Sequence, residues 1–167
     1  MVKASESGAS RGMSMVNNES ELDKALDSAL HFSDEIVMEK YIHGREFTVG
    51  VVGDYLDPKA LPVVEIVTEN KFFDYEAKYV AGKAQEICPA IIPKLLSEQL
   101  QAIARDAYSA VKAKSHARVD LINGDDGKIY VLEINTFPGL MPASLFPKEL
   151  AAEGSSLGKL IDTFAFS

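Results

Sequence analysis

Cysteine is nearly absent: Cys88 stands alone, so no disulfide can form within the chain, as suits a reducing compartment. Long hydrophobic runs are missing too, and nothing approaches the ~20 apolar residues of a membrane-spanning helix. The opening "MVKASESGASRG" lacks the apolar stretch of a secretory signal, which makes the cytoplasm the expected compartment. Positive charge is scarce. Against 25 Asp and Glu stand 17 Lys and Arg, a formal net charge of −8. That balance excludes non-specific attachment to nucleic-acid phosphates, and neither a nucleic-acid nor a membrane partner is expected. Any phosphate recognised here must be met locally, by backbone donors and a few lysines.

What is present reads as globular: 167 residues, 47% hydrophobic and 25% charged, enough for one ordinary core. No repeat or low-complexity tract appears. Met1 to Lys3 resembles the end of a strand that runs into the small, polar loop Ser5 to Gly12, with Met13 to Val16 as a returning strand. Ser20, with Asp23 three residues on, predicts a capped helix bearing Leu22, Ala25, Leu26, Ala29 and Leu30 on one face. Glu35 to Ile42, Glu46 to Val52 and Pro62 to Thr68 are strand-like. Leu96, Leu100, Ile103, Ala107 and Val111 recur at helical spacing and predict a helix over 94–114. Two further strands, Ala117 to Asn123 and Lys128 to Asn135, flank the turn Gly124-Asp125-Asp126-Gly127, and short helices follow at 144–152 and 156–164. Hairpins mixed with helices point to the α+β class.

The second of those strands, "VLEIN", places a carboxylate and an amide in an apolar run that breaks at Pro138-Gly139. Pairing Asn123 with Lys128 across the turn puts Ala117, Val119, Leu121, Tyr130, Leu132 and Ile134 on one apolar face. Arg118, Asp120, Glu133 and Asn135 share the other. In that register Arg118 faces Glu133, and Asp120 is diagonal to Glu133. Two carboxylates and an amide oxygen suit Mg²⁺, and no His or Cys set suits zinc. A solvated face on which Arg118 simply pairs with Glu133 remains open on spacing alone.

The loop "KASESGASRGM" is neither a Walker A sequence nor GxGxxG, yet its glycines and serines suit an oxyanion and Lys3 adds a compact charge; a plain flexible tip is the alternative. From Asn70 to Ala90 no period is sustained. Lys71, Lys78 and Lys83 could meet phosphates there, and Phe72, Phe73, Tyr75 and Tyr79 could stack on a base or simply anchor the loop. His31, His43 and His116 have no nucleophile or base in a recognisable pattern beside them.

Taken together, "KASESGASRGM", "EKYIHGREFTV", "FFDYEAKYV", "CPA", "ARVDLI" and "LEINTFPGL" follow an order and spacing that resembles the ATP-grasp ligases, and within them the D-alanine–D-alanine ligases. The resemblance covers nearly the whole chain. It implies an antiparallel sheet flanked by helices, and ATP-dependent joining of two D-alanines through an acylphosphate for peptidoglycan precursor synthesis. It further implies that this chain is the carboxy-terminal part of an ATP-grasp domain, 1–42 ending a central subdomain and 43–167 forming the carboxy-terminal one. By resemblance Asp120, Glu133 and Asn135 hold magnesium, which manganese can replace, and Arg118 stabilises an oxyanion. Lys3 and Ser10 lie at the phosphates; Glu39, Lys40 and Ile42 border the adenine; Glu46 meets the ribose; Phe72, Phe73 and Leu132 line the nucleotide pocket. Lys78 and Tyr79 close over the phosphates and second substrate, and Gly139, Ser144 and Leu145 form the substrate-side wall. Partners implied are ATP and D-alanine, with a homodimer in the full-length protein.

Two departures stand out. The family's Gly-Ser-Ser reads Gly8-Ala9-Ser10 here, and a second phosphate-binding lysine is not found in this chain. The chain by itself is therefore expected to bind Mg-ATP weakly, if at all, and to make no dipeptide. A non-catalytic nucleotide-binding module and an ATP-grasp ligase for another amino acid are the alternative readings.

Overall fold

The computed structural model describes residues 1–8, 10–68 and 84–165. They form two compact units, Met1–Ile42 with Thr68–Gln85 and His43–Val67 with Glu86–Ser167. Lys78, Tyr79, Phe72 and Phe73 lie outside the described residues. Among the described residues no helix is long and apolar enough to cross a membrane.

In the first unit, β1 (Val2–Ala4) pairs antiparallel with β2 (Ile36–Met38), Lys3 opposite Val37. The expected partner at Met13 to Val16 contributes only a single bridge, Ser14 to Val2, so the strand pair forms across the helix rather than across the loop. Helix α1 (Leu22–Leu30) buries Ala25 and Ala29 against Val2 and Ala4. Alternation along β1 therefore turns Lys3 away from α1. Ser20 does not cap this helix; it lies within a single 3₁₀ turn, Glu19–Glu21. The Glu21 carboxylate instead accepts from the Asn17 N–H at 2.9 Å, tightening the turn that leads into α1.

Most of a sheet of six strands belongs to the second unit: β3 (Gly44–Val52), β4 (Lys59–Ala60), β5 (Val64–Thr68), β6 (Ala84–Ile87), β7 (His116–Gly124) and β8 (Ile129–Asn135). The order is β6-β5-β3-β7-β8, with β4 on β3. Alternation decides its faces. Phe47, Val49 and Val51 of β3 and Ala117, Val119 and Leu121 of β7 form one buried face. Across it lies α2 (Lys94–Ala110), whose Leu100, Ala104 and Tyr108, four residues apart, are all fully buried. Polar ties fix its far end: Tyr108 Oη donates to the Gly53 carbonyl at 2.7 Å, and Ser109 Oγ to the Tyr55 carbonyl at 2.7 Å.

On the opposite face α3 (Leu145–Ala152) and α4 (Leu157–Ala165) pack Phe146, Leu150 and Leu160 around Leu61. Phe146 and Glu149 of α3 approach the sheet at Gly50. What remains of that face carries Thr48, Arg118, Asp120, Glu133 and Asn135 in matched register.

The β7–β8 register differs from the sequence-based expectation in two steps. At the turn, Gly127 takes a left-handed φ of +79° and its N–H donates to the Gly124 carbonyl at 2.8 Å, so Asn123 pairs with Ile129 instead of Lys128. A second irregularity between Asp120 and Leu121 leaves Leu132 without a partner and sets Asp120 opposite Glu133. Near the turn the faces consequently exchange: Tyr130 is opposite Ile122, not on the Leu121 face, and its hydroxyl donates to Asp126 at 2.7 Å. Past the bulge the total displacement is two residues, the period of a strand, so Glu133 and Asn135 keep the face expected of them.

Candidate functional site

Four side chains meet on the open face of the second unit. Asp120 stands directly opposite Glu133, closer than the diagonal expected, and Arg118 is opposite Asn135. Arg118 does not pair with Glu133. Its Nε and Nη2 donate to Asp120 Oδ1 and Oδ2, both at 2.8 Å, a two-pronged bond that fixes the guanidinium plane. Both side chains are about one-sixth exposed, 17% each, so the pair is sheltered from screening. Burial acts to lower the Arg118 pKa, but the Asp120 hydrogen bonds and the charges of Asp120, Glu133 and Glu149 more than offset it, leaving the pKa above the ordinary guanidinium value. Arg118 is a cation throughout the working range.

Thr48 completes this arrangement and was not singled out from sequence. It is wholly buried, and its hydroxyl lies 2.6 Å from Asp120 Oδ1. The signal was there in the alternation of "EFTVG": Glu46, Thr48 and Gly50 must share a face, and β7 register puts Thr48 beside Asp120.

Among the described residues no three His, Cys, Asp or Glu side chains converge as a metal site. The candidate set is two carboxylates and an amide, and its free lone pairs can be followed atom by atom. Asp120 Oδ1 accepts from both Thr48 and Arg118 and is saturated. Asp120 Oδ2 accepts once, from Arg118, so one lone pair remains. Asn135 Oδ1 accepts the Phe137 N–H at 3.0 Å and also keeps one. Glu133, exposed and directly across from Asp120, completes a set of hard oxygens. Such a set fits a small divalent cation that retains several waters, with Asp120 and Asn135 each giving one oxygen.

The Asn135–Phe137 bond also starts the turn into Pro138-Gly139. Gly139 then passes Ser144 closely: a Cβ on it would lie 2.8 Å from Ser144 Oγ. Two of the expected substrate-side residues are thus in contact, and Leu145, the first residue of α3, follows at once. Leu132, the bulge residue, is exposed. Glu46 lies on the same face of β3 as Thr48, opposite Ile122.

In the first unit Lys3 and Glu39 meet on the side of β1–β2 away from α1. Lys3 Nζ lies 2.5 Å from a Glu39 carboxylate oxygen, so the cation expected at phosphates has an acidic partner here. Lys40 is exposed and Ile42 half-buried. Ser10, with φ +57°, has a buried hydroxyl without a hydrogen-bond partner among the described residues.

Glu149 was missed as well. It is fully buried on α3, where its Oε1 accepts the Gly50 N–H at 2.8 Å. In "LFPKELAA" it reads like any outward helical glutamate, and only the docking of α3 reveals it.

A family model described as "D-ala D-ala ligase C-terminus" matches residues 1–165. A D-alanine–D-alanine ligase of Desulfotalea psychrophila is 45% identical over 166 residues, covering 98% of this chain and 51% of that protein. Among solved structures, the VanG D-Ala:D-Ser ligase from Enterococcus faecalis superposes with a TM-score of 0.87 at 29% identity, over 98% of this chain and 48% of that one. The D-alanine–D-alanine ligase from Bacillus anthracis complexed with ATP superposes with a TM-score of 0.73 at 37% identity, over 89% and 47%. The chain spans about half the length of the curated relatives it matches.

Proposed function

This chain belongs to the D-ala D-ala ligase C-terminus family, and on that premise we propose that it supplies the phosphate- and metal-handling surface of an ATP-dependent ligase that joins two D-alanines for peptidoglycan precursor synthesis in the cytoplasm. Its fold is the helix and antiparallel-sheet mixture of the ATP-grasp ligases. One observation carries the functional reading: Asp120 and Glu133 directly opposed, with Arg118 and Asn135 the next matched pair on the same open face.

The chemistry needs that arrangement. Transfer of the ATP γ-phosphoryl group to the carboxylate of the first D-alanine gives an acylphosphate and ADP; attack by the second amine then expels phosphate and forms the peptide bond. Both steps gather negative charge, which is met mainly by positioning and neutralisation. Glu133, Asp120 Oδ2 and Asn135 Oδ1 would hold magnesium or manganese, which would supply positive charge to offset that of the phosphates. Arg118, held flat by Asp120, would turn its remaining N–H donors to the oxyanion of the tetrahedral carbon. Gly139, Ser144 and Leu145 would form the substrate-side wall.

In the same reading 1–42 ends a central subdomain and 43–167 is the carboxy-terminal one. Lys3 and Ser10 would serve the phosphates, Glu39, Lys40 and Ile42 the adenine, and Glu46 the ribose hydroxyls. Phe72, Phe73 and Leu132 would line the nucleotide pocket, and Lys78 and Tyr79 would close over the phosphates. The curated relatives cited for D-alanine joining support D-alanine as the second substrate. The full-length protein would act as a homodimer.

Glu133→Gln is the decisive substitution, because Glu133 is exposed and its loss leaves Arg118 paired, whereas Asp120→Asn would also strip the sheltered guanidinium of its partner. Calorimetric titration of Mg-ATP into the chain should show binding weakened about tenfold or more by Glu133→Gln, with no D-alanine-dependent phosphate release in any sample. Mg-ATP affinity unchanged in Glu133→Gln would contradict the assignment.

A further inference from the structure

Gly50 lies at a break in strand pairing, where its carbonyl still accepts the Leu61 N–H at 2.8 Å. On one side it is directly across from Arg118. On the other, β5 pairing stops at Thr48–Val64 and β4 pairing begins at Val51–Ala60. A buried N–H at such a break needs an acceptor from elsewhere. Helix α3 provides it, through Glu149 Oε1 at 2.8 Å.

The fit leaves no slack. A Cβ on residue 50 would lie 2.6 Å from Glu149 Oε2, 2.8 Å from Leu61 and 3.0 Å from Phe146, so glycine alone lets the helix approach this closely. Other polar ties of α3 and its C-cap are more exposed: Lys148 reaches Glu86 and Glu153 reaches Lys59, each at 2.5 Å, with lysines 40% and 64% exposed. Exposed pairs of this kind hold little. Glu149 is buried completely, its Oε2 has no hydrogen-bond partner among the described residues, and the Arg118 and Asp120 charges both act on it.

We propose that Glu149 is a positioning residue: its buried carboxyl locks α3, which follows directly on Ser144, to the strand that backs Arg118, and so holds the guanidinium in place. The importance of Arg118 and Ser144 rests on the ligase reading above, while the contact itself does not.

Amide hydrogen exchange and the Arg118 Nε–H resonance, followed by NMR on the chain without nucleotide, test this. Glu149→Leu removes the acceptor; exchange at the Gly50 amide and at Arg118 Nε–H should each quicken about tenfold or more. Glu149→Gln keeps an acceptor oxygen and the volume, and should restore both to within about twofold of the parent. Faster exchange at Gly50 with Arg118 unchanged would mean that Glu149 merely caps a strand edge, and the proposal would fall. Should Glu149→Leu not fold, Gly50→Ala displaces the carboxyl without deleting it and must loosen Arg118 likewise. No ATP or D-alanine enters this measurement, so its failure leaves the ligase reading standing. Loss of that reading in the Mg-ATP titration would equally leave this contact intact.

Discussion

Glu149 is the residue whose chemistry departs furthest from its ordinary behaviour. Burial pushes its carboxyl up to about 8 from 4.5, against the opposing pull of the Gly50 hydrogen bond and the Arg118 charge. Below about pH 4.5 the acid is protonated in both folded and unfolded chains and contributes no pH dependence. Between that value and 8 the unfolded chain releases a proton that the folded chain keeps, so stability falls as pH rises, by about 1.4 kcal/mol per pH unit. His116 acts at the acid side: burial lowers its pKa from 6.5, so protonation costs stability as pH falls through that value. Urea unfolding at pH 5.5 and 8.5 should therefore show the stability advantage of Glu149→Gln over the parent widening by about 3 kcal/mol from the lower pH to the higher. A parent chain as stable at pH 8.5 as at 5.5 would contradict the buried acid. This residue was not legible in the sequence, because a glutamate on a short helix signals solvent until a second element packs over it. Thr48 was legible in principle, through strand alternation alone.

Hairpin β7–β8 shows how an element can be placed correctly for an incomplete reason. Strand spans and turn were readable from alternation and from Gly124 to Gly127, yet the register was displaced twice, by the left-handed Gly127 and by the bulge at Leu132. Neither leaves a pattern of its own in an apolar run. Because the displacements sum to one strand period, Arg118, Asp120, Glu133 and Asn135 still share a face, while Tyr130 does not lie where alternation put it. At φ +79° an L side chain is strained, although a Cβ on Gly127 would meet nothing within 4 Å. Gly127→Ala should hence cost about 1 kcal/mol in urea unfolding, from backbone strain without steric clash. A neutral result would place the turn in another conformation. The span of α2 was readable to within its last turn, but its buried row is Leu100, Ala104 and Tyr108; of the face expected, Leu96, Ile103 and Ala107 pack at the edge of the core and Val111, past the helix end, is exposed.

Across the whole molecule, the motifs were more informative than the composition. Net charge argued only against non-specific attachment to nucleic acid, whereas the ordered set from "KASESGASRGM" to "LEINTFPGL" pointed to the family later matched over residues 1–165. The pairing of Lys3 with Glu39 could not be read from that set, since the two meet only when β1 and β2 align. Glu133, by contrast, was legible through its place in a strand with an abrupt end.

The central claim, that the Asp120–Glu133–Asn135 face takes a divalent cation together with ATP phosphates, is tested most directly by adding Mn²⁺ and ATP to the ¹⁵N-labelled chain and mapping paramagnetic broadening. The account predicts broadening centred on the amides of Asp120, Glu133 and Asn135, dependent on ATP. Broadening centred instead on the exposed Asp125-Asp126 turn, or indifferent to ATP, would contradict it.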